Sequence, residues 1–182
     1  MKTILIVDNN SIYNKKLSSF FIDENINFVI TPYNKIHALD LNTYTAFILT
    51  GRHNNNKYMN MINSQIIKFS INNHKHLLGI CYGAEILALT LGNTIIKMNS
   101  HQKNLTEINI IKNNPLCQNN VTVFENHRYQ ISRLKYPLTC IAKSKTCSYE
   151  IIQYAENYIF GTQFHPEMNN DGRSILKSFV LL

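Results

Sequence analysis

The chain has 182 residues, of which 45% are hydrophobic, 16% charged and 10% aromatic. This composition excludes a disordered chain, and the length suits one domain, over residues 1–182, that folds without disulfides. The net charge is +7, and the basic residues are scattered, with no run longer than Lys15-Lys16. This pattern favours an AT-rich coding bias, or a basic face that docks a partner, over binding to nucleic acid.

Strands and helices alternate in the first half of the sequence. Short apolar strands are predicted at Thr3–Asp8, Ile26–Ile30, Ala46–Thr50 and Leu77–Ile80. Helices are predicted from an N-cap at Ser11 to about Glu24, over Met59–Asn72 and over Gly83–Leu91, with a polar loop at Arg52–Asn56. Apolar strands that alternate with helices are typical of a parallel sheet covered on both faces.

The second half of the sequence is richer in strands. They are predicted at Thr94–Met98, Thr106–Ile111, Val121–Phe124, Leu138–Ala142, Tyr149–Tyr154 and Tyr158–Gln163, before a last helix, Gly172–Val180, capped by Asp171. We therefore predict an α/β fold with a doubly wound, mostly parallel sheet and antiparallel additions in the C-terminal half. In such sheets, sites lie at the carboxyl ends of the strands.

The sequence gives no sign of a membrane span, an export signal or a metal site. Its longest apolar runs are strand-sized, far below the roughly 20 residues that a membrane helix needs. The N-terminus leads directly into a strand, so no signal peptide is expected. The cysteines have neither CxxC nor zinc-ligand spacing; they are Cys81, Cys117, Cys140 and Cys147. We expect a cytoplasmic protein with reduced thiols, no membrane contact and no metal.

One cysteine lies in a segment with the form of a nucleophile elbow. The run Leu78-Gly79-Ile80-Cys81-Tyr82-Gly83 places Cys81 between a strand and a helix, with a glycine two residues to either side. Such a turn presents the sulfur at a helix N-terminus, where we expect the thiolate to be stabilised and the pKa of the cysteine to be lowered. The alternative is a core cysteine beside two packing glycines.

A nucleophilic cysteine needs a base, and one histidine suits this role. His165 follows the last predicted strand, in Gln163-Phe164-His165-Pro166-Glu167. Because the proline fixes the backbone, Glu167 can accept a hydrogen bond from one imidazole nitrogen while the other faces Cys81. Five other histidines are predicted to be surface residues, namely His37, His53, His74, His76 and His101.

Together, Gly-Ile-Cys-Tyr-Gly and the later Gln-Phe-His-Pro-Glu resemble the class I glutamine amidotransferases, which use a Cys–His–Glu triad. The resemblance spans essentially the whole chain. It implies a flavodoxin-like three-layer fold, hydrolysis of L-glutamine to glutamate and ammonia, and catalysis by Cys81, His165 and Glu167. It implies no cofactor in this chain. Ammonia would pass to a separate synthetase subunit of the ATP-pyrophosphatase type, which would bind ATP and magnesium.

The resemblance also implies an oxyanion hole made of backbone N–H groups. Tyr82 would supply one donor and Gly51, in the loop Leu49–Arg52, the other. The family's loop is Ser-Gly-Gly-Pro-like, so Arg52 is a departure that meets a carboxylate of substrate or partner, or is solvated. A second departure is Glu85, where the family has Gln. A carboxylate there can still bind the substrate's ammonium group, which leaves substrate affinity or identity open.

A third departure lies in Glu125-Asn126-His127-Arg128-Tyr129, where the family often has Ser-His-x-Asp. Asn126 can replace the serine's contact with substrate, and we expect His127 at an interface or behind the catalytic residues. The whole pattern is most similar to the stand-alone glutaminase subunit of archaeal-type GMP synthases. The alternatives are a glutaminase component of the anthranilate synthase type, a free-standing γ-glutamyl hydrolase, and a non-catalytic regulatory module.

Overall fold

The computed structural model describes residues 3–155 and 157–182. The strands are β1 (Ile4–Asp8), β2 (Phe28–Pro32), β3 (Ala46–Leu49), β4 (His76–Ile80), β5 (Thr94–Ile110), β6 (Val121–Arg133), β7 (Leu138–Lys143), β8 (Ile151–Tyr154) and β9 (Ile159–Thr162). The α-helices are α1 (Asn14–Asp23), α2 (Lys57–Asn72), α3 (Tyr82–Thr90) and α4 (Asn170–Leu181), and short 3₁₀ turns occupy Tyr33–Ala38, Leu41–Thr43 and Pro166–Met168.

The strands form one sheet, in the order β2-β1-β3-β4-β9-β8-β7-β5-β6. From β2 to β9 neighbouring strands are parallel, and β8, β7, β5 and β6 extend the sheet with antiparallel pairs. The predicted fold class is confirmed. The carboxyl ends of β3, β4 and β9 lie side by side, and the residues that follow these strands meet there.

Helices cover both faces of the parallel part of the sheet. Successive residues of a strand point to opposite faces, so Ile4 and Ile6 of β1 join one apolar core, and Leu5 and Val7 join the other. The first core includes α1 and α4, and the second includes α2 and α3. This is the three-layer arrangement. In the part of the chain that the structure describes, no helix is long and apolar enough to cross a membrane.

Two predicted helix caps are wrong. Helix α1 begins at Asn14, and Ser11 instead accepts a hydrogen bond from the Tyr13 N–H (3.2 Å) in a turn before the helix. The cap of α4 is Asn169, whose side chain accepts from the Gly172 N–H (3.2 Å). Asp171 lies one residue inside α4, where its carboxylate accepts a hydrogen bond from the Thr122 N–H of β6 (2.9 Å).

The predicted strands of the second half are too short and too many. Thr94–Met98 and Thr106–Ile111 are parts of one strand, β5, whose pairing with β6 shifts register between Lys97 and Gln102. The polar residues between the two predicted strands have weak strand propensity, so the sequence predicted a loop there. Pairing with β6 keeps the segment in a single strand. Likewise, the predicted Val121–Phe124 strand continues to Arg133, so the segment Glu125–Tyr129 lies inside β6.

Candidate active site

Cys81 occupies a tight turn between β4 and α3. Its φ of 51° and ψ of −102° are a strained conformation for a residue with a side chain, and it lies directly before the first residue of α3. A Cβ added at Gly83 would lie 2.3 Å from the Leu49 carbonyl oxygen, and one at Gly79 would lie 2.4 Å from the Gly83 carbonyl. Glycine is therefore required at both positions, because strand and helix come into backbone contact.

His165 and Glu167 follow β9 and lie near Cys81 at the carboxyl ends of the neighbouring strands β4 and β9. The imidazole Nδ1 lies 2.9 Å from Glu167 Oε1, and both side chains are buried. The His165 N–H donates to the Phe124 carbonyl of β6 (2.9 Å), which fixes the backbone from which the ring projects. With Nδ1 engaged by Glu167, Nε2 is left for the neighbouring Cys81 thiol, whose charge raises the pKa of His165.

The protonation of Cys81 and His165 is set by burial and by their mutual attraction. Burial raises the pKa of the Cys81 thiol, and the charge of His165 offsets this rise only in part. The expected lowering of the Cys81 pKa is therefore wrong, because the sulfur is withdrawn from water. Burial would lower the pKa of His165, but Glu167 and Cys81 overcome it and raise that pKa well above its ordinary value. His165 is thus a strong base beside the thiol.

The two predicted oxyanion donors lie next to His165 and Cys81 respectively. Gly51 packs so closely against His165 that an added Cβ would lie 2.9 Å from the ring atom Cε1. Tyr82 is the first residue of α3, a position at which the backbone N–H has no partner within the helix. Both residues are buried at the carboxyl ends of β3 and β4.

Two of the three departures from the family pattern, Arg52 and Glu85, contact each other. Arg52 Nη2 lies 3.8 Å from Glu85 Oε2, and the guanidinium lies over the Tyr82 ring, 4.3 Å from its centroid. Burial raises the pKa of Glu85, while the positive charge of Arg52 lowers it. Arg52 is therefore paired within the chain, and its side chain is only 16% exposed.

Asn126 projects from β6 into the same region. Its amide nitrogen donates to the Tyr13 hydroxyl (2.6 Å), and its amide oxygen lies 2.7 Å from His101 Nε2. Tyr13 also packs its ring edge-on against His165, with centroids 4.7 Å apart. Sequence reasoning did not find Tyr13, since no local motif surrounds it. His101 is exposed, as predicted, yet it lies at the mouth of the site.

A buried acidic cluster adjoins His165 and has no counterpart in the sequence predictions. His127 Nε2 is 2.8 Å from Glu125 Oε2, and both side chains are 1% exposed. Burial raises the pKa of Glu125 to about 7 and that of Glu150 to about 9, and the charge of Glu125 raises the pKa of Glu150 further. His127 is buried and also lines the cavity that Cys81 and His165 line, and burial lowers its pKa. The sequence contained a signal for this cluster, because Val123, Glu125 and His127 are two residues apart and would share one face of a strand.

A cavity of about 710 Å³ opens onto these groups. Its walls include Cys81, His165, Arg52, Glu85 and Asn126. Its size suits a small-molecule ligand. Among the described residues, no cluster of histidine, cysteine or acidic side chains has the arrangement of a metal site.

Of the histidines predicted at the surface, His76 is half-buried against Tyr158, and the other four are exposed.

Comparison with known proteins identifies the family. Residues 5–181 match the class-I glutamine amidotransferase family model. The chain belongs to this family. The amidotransferase chain is 26% identical to a glutamine-hydrolysing GMP synthase subunit of Thermoplasma acidophilum, over 99% of its own length and 92% of the relative's. It is also 26% identical to the corresponding protein of Methanocaldococcus jannaschii, over 97% and 95% of the two chains.

Solved structures agree with this assignment. The crystal structure of a GMP synthase subunit from Thermoplasma acidophilum superposes with a TM-score of 0.85 at 25% identity, over 99% of this chain and 92% of that chain. A glutamine amidotransferase from Thermotoga maritima superposes with a TM-score of 0.79 at 18% identity, over 99% and 81%, which shows the shared fold.

Proposed function

We propose that this amidotransferase is the glutamine-hydrolysing subunit of a GMP synthase. It hydrolyses L-glutamine to glutamate and ammonia and delivers the ammonia to a separate synthetase subunit. The observation that carries the proposal is Cys81, in a strained elbow, beside a His165–Glu167 pair with Nδ1 and Oε1 2.9 Å apart. The family match over residues 5–181 supports the same activity.

The first half of the reaction forms a thioester. His165 Nε2 takes the Cys81 proton as the sulfur attacks the side-chain amide carbon of glutamine, which makes a carbon–sulfur bond and a tetrahedral oxyanion. The N–H groups of Gly51 and Tyr82 stabilise that oxyanion, and each such donor is typically worth about 3 kcal/mol of barrier. The imidazolium then protonates the leaving nitrogen, the carbon–nitrogen bond breaks, and ammonia departs.

The second half hydrolyses the thioester. His165, neutral again, removes a proton from water, and the hydroxide adds to the thioester carbonyl. The same N–H groups stabilise the second oxyanion. The carbon–sulfur bond then breaks, the sulfur regains its proton from His165, and glutamate is released. Glu167 keeps the Nδ1 proton in place and stabilises the imidazolium at each stage.

Three polar residues of the cavity wall bind the head group of glutamine. Glu85 offers a carboxylate to the substrate's ammonium group, and Arg52 a guanidinium to its carboxylate. Asn126 supplies an amide that donates and accepts hydrogen bonds. Arg52 and Glu85 line the same cavity with their charged atoms 3.8 Å apart, which supports this assignment because one zwitterion can reach both charges.

The partner we propose is an ATP-pyrophosphatase-type synthetase that binds ATP and magnesium. This chain spans 92% and 95% of two relatives named as GMP synthase subunits, but only 35% of the GMP synthase of Ruminiclostridium cellulolyticum, to which it is 25% identical. The relatives thus occur both as a separate chain and within a longer one. We place the reaction in the cytoplasm, where the four free cysteines stay reduced.

Ammonia release from L-glutamine tests the proposal. We expect the purified chain to release ammonia when mixed with its synthetase partner, and the Cys81→Ser variant to release none above background. Circular dichroism of the variant serves as the folding control. Absence of ammonia from the wild-type chain, alone and with the synthetase, would contradict the proposal.

A further inference from the structure

One side chain joins the two elements that carry the oxyanion donors. Arg52 follows Gly51 in the loop after β3, and its guanidinium carbon lies 4.3 Å from the centroid of the Tyr82 ring in the first turn of α3. Its Nη2 lies 3.8 Å from Glu85, one turn further along the same helix. The loop is therefore attached to α3 by a stacked contact and an ion pair.

Two asparagines complete this attachment. Arg52 Nη1 donates to Asn55 Oδ1 (2.6 Å), and the Tyr82 hydroxyl donates to Asn60 Oδ1 (2.8 Å). The Asn60 amide nitrogen in turn donates to Asn55 Oδ1 (3.2 Å). The loop, the first turns of α2 and the first turn of α3 thus share one hydrogen-bonded network centred on Arg52.

We propose that Arg52 is a positioning residue that fixes the separation of the two oxyanion donors, the N–H groups of Gly51 and Tyr82. This inference rests on the proposed function, because it concerns the donors assigned there. Oxyanion donors lower the barrier only when they are held in place before charge develops. Arg52 is next to one donor in the chain and covers the side chain of the other, so a displacement of either is resisted through its guanidinium.

Arginine suits this position better than lysine. A planar guanidinium stacks on an aromatic ring and at the same time donates along its edges, whereas an ammonium group is a compact point charge. At Arg52 the guanidinium carbon lies over the Tyr82 ring, while its two terminal nitrogens reach Asn55 and Glu85. Lysine would keep the charge opposite Glu85 and lose the stacked plane.

Steady-state kinetics separates positioning from substrate binding. With Arg52→Lys, we expect kcat for glutamine hydrolysis to fall about 10- to 100-fold while KM changes less than about threefold. Arg52→Ala should lower kcat at least as much and also raise KM. Lys57→Ala is the matched control, since it removes an exposed cation next to the same loop, and its kcat should equal that of the wild type.

A binding measurement gives the same information without turnover. The aldehyde analogue of glutamine, glutamate γ-semialdehyde in its open-chain form, reacts with the Cys81 thiol: a carbon–sulfur bond forms, the carbonyl π bond breaks, and the carbonyl oxygen, in the oxyanion hole, takes the thiol proton by way of His165. We expect Arg52→Lys to weaken this binding by about the same factor as kcat. Because Arg52→Ala leaves Glu85 buried without its cation and can lose stability, Arg52→Lys is the deciding variant.

The outcomes are distinct. A raised KM with kcat and aldehyde affinity unchanged in Arg52→Lys would overturn the proposal and leave Arg52 as a substrate ligand alone. Wild-type kcat and KM in Arg52→Lys would also overturn it. Failure of the proposed function itself would look different, since the wild-type chain with its synthetase would then release no ammonia.

Discussion

Cys81 and His165 act as a pair because each determines the other's protonation. The thiol is buried, so by itself it resists ionisation, and the neighbouring imidazole is a base whose pKa is raised by Glu167. Proton transfer within the pair creates a thiolate and an imidazolium side by side, which attract each other in a site with little water. In the proposed mechanism, the strength of the base, rather than a free thiolate, activates this cysteine.

Replacement of Glu167 by glutamine tests this coupling. Glu167→Gln removes the negative charge that raises the pKa of His165, while it keeps a hydrogen-bonding oxygen near Nδ1. The pair is inactive when both groups are protonated, so activity rises with pH through the pKa of His165. We expect the acidic limb of the pH profile of kcat/KM to move to lower pH, and kcat to fall about 10²- to 10⁴-fold. An unmoved acidic limb would contradict the role of Glu167.

At the scale of elements, the backbone contact between α3 and β3 determines the geometry of the site. The helix can approach the Leu49 carbonyl because residue 83 has no side chain. We expect Gly83→Ala to lower the free energy of unfolding by about 1–3 kcal/mol and to reduce activity, because the helix must move away from the loop that carries Gly51. Urea unfolding measures the first effect and ammonia release the second.

Leu89→Ala is the control for this substitution. Leu89 lies on α3 with 41% of its surface exposed, so its truncation should change the free energy of unfolding by no more than about 0.5 kcal/mol. Equal stability of Gly83→Ala and the wild type would show that the helix approach is not tight.

The beginning of α1 shows why a local cap signal failed. Residues before the helix are held by contacts from distant elements. Asn9 donates to the Thr50 carbonyl (3.1 Å) and exchanges hydrogen bonds with Asn63, and Tyr13 packs on His165. Because of these tertiary contacts, the helix begins at Asn14, although Ser11 is a residue type that favours the N-cap position. Local rules are commonly broken where a chain builds a site.

At the scale of the molecule, the buried carboxyls make stability depend on pH. Glu125 and Glu150 have pKa values raised by burial to about 7 and about 9. The folded state therefore holds protons that the unfolded state has released above about pH 4.5, and stability falls as pH rises. Each extra proton held by the folded state gives a slope of about 1.4 kcal/mol per pH unit.

Glu150→Gln should remove part of this slope. The amide fills the same space without a titrating proton, so the free energy of unfolding should decline less steeply between pH 6 and pH 9 than in the wild type. Urea unfolding at four pH values in this range provides the measurement. A slope identical to that of the wild type would mean that Glu150 does not titrate there.

Much of the fold could be predicted from the sequence, because apolar strands and amphipathic helices leave local patterns. The catalytic candidates were equally accessible, since Cys81 lies in one short motif and both His165 and Glu167 lie in another. The contact between Arg52 and Glu85 could not be predicted, because it joins residues 33 positions apart and appears only when β3 and β4 pair. The acidic cluster joins β6 to Glu150, just before β8, for the same reason.

The central claim is that Cys81 is the nucleophile for glutamine, and covalent labelling tests it directly. The chain contains four free cysteines, of which Cys81 is the one beside His165. After treatment with a chloroketone analogue of glutamine, peptide mass spectrometry should find one adduct, on Cys81, and excess L-glutamine should prevent it. An adduct on Cys117, Cys140 or Cys147 with Cys81 unmodified, or labelling that glutamine does not slow, would contradict the account.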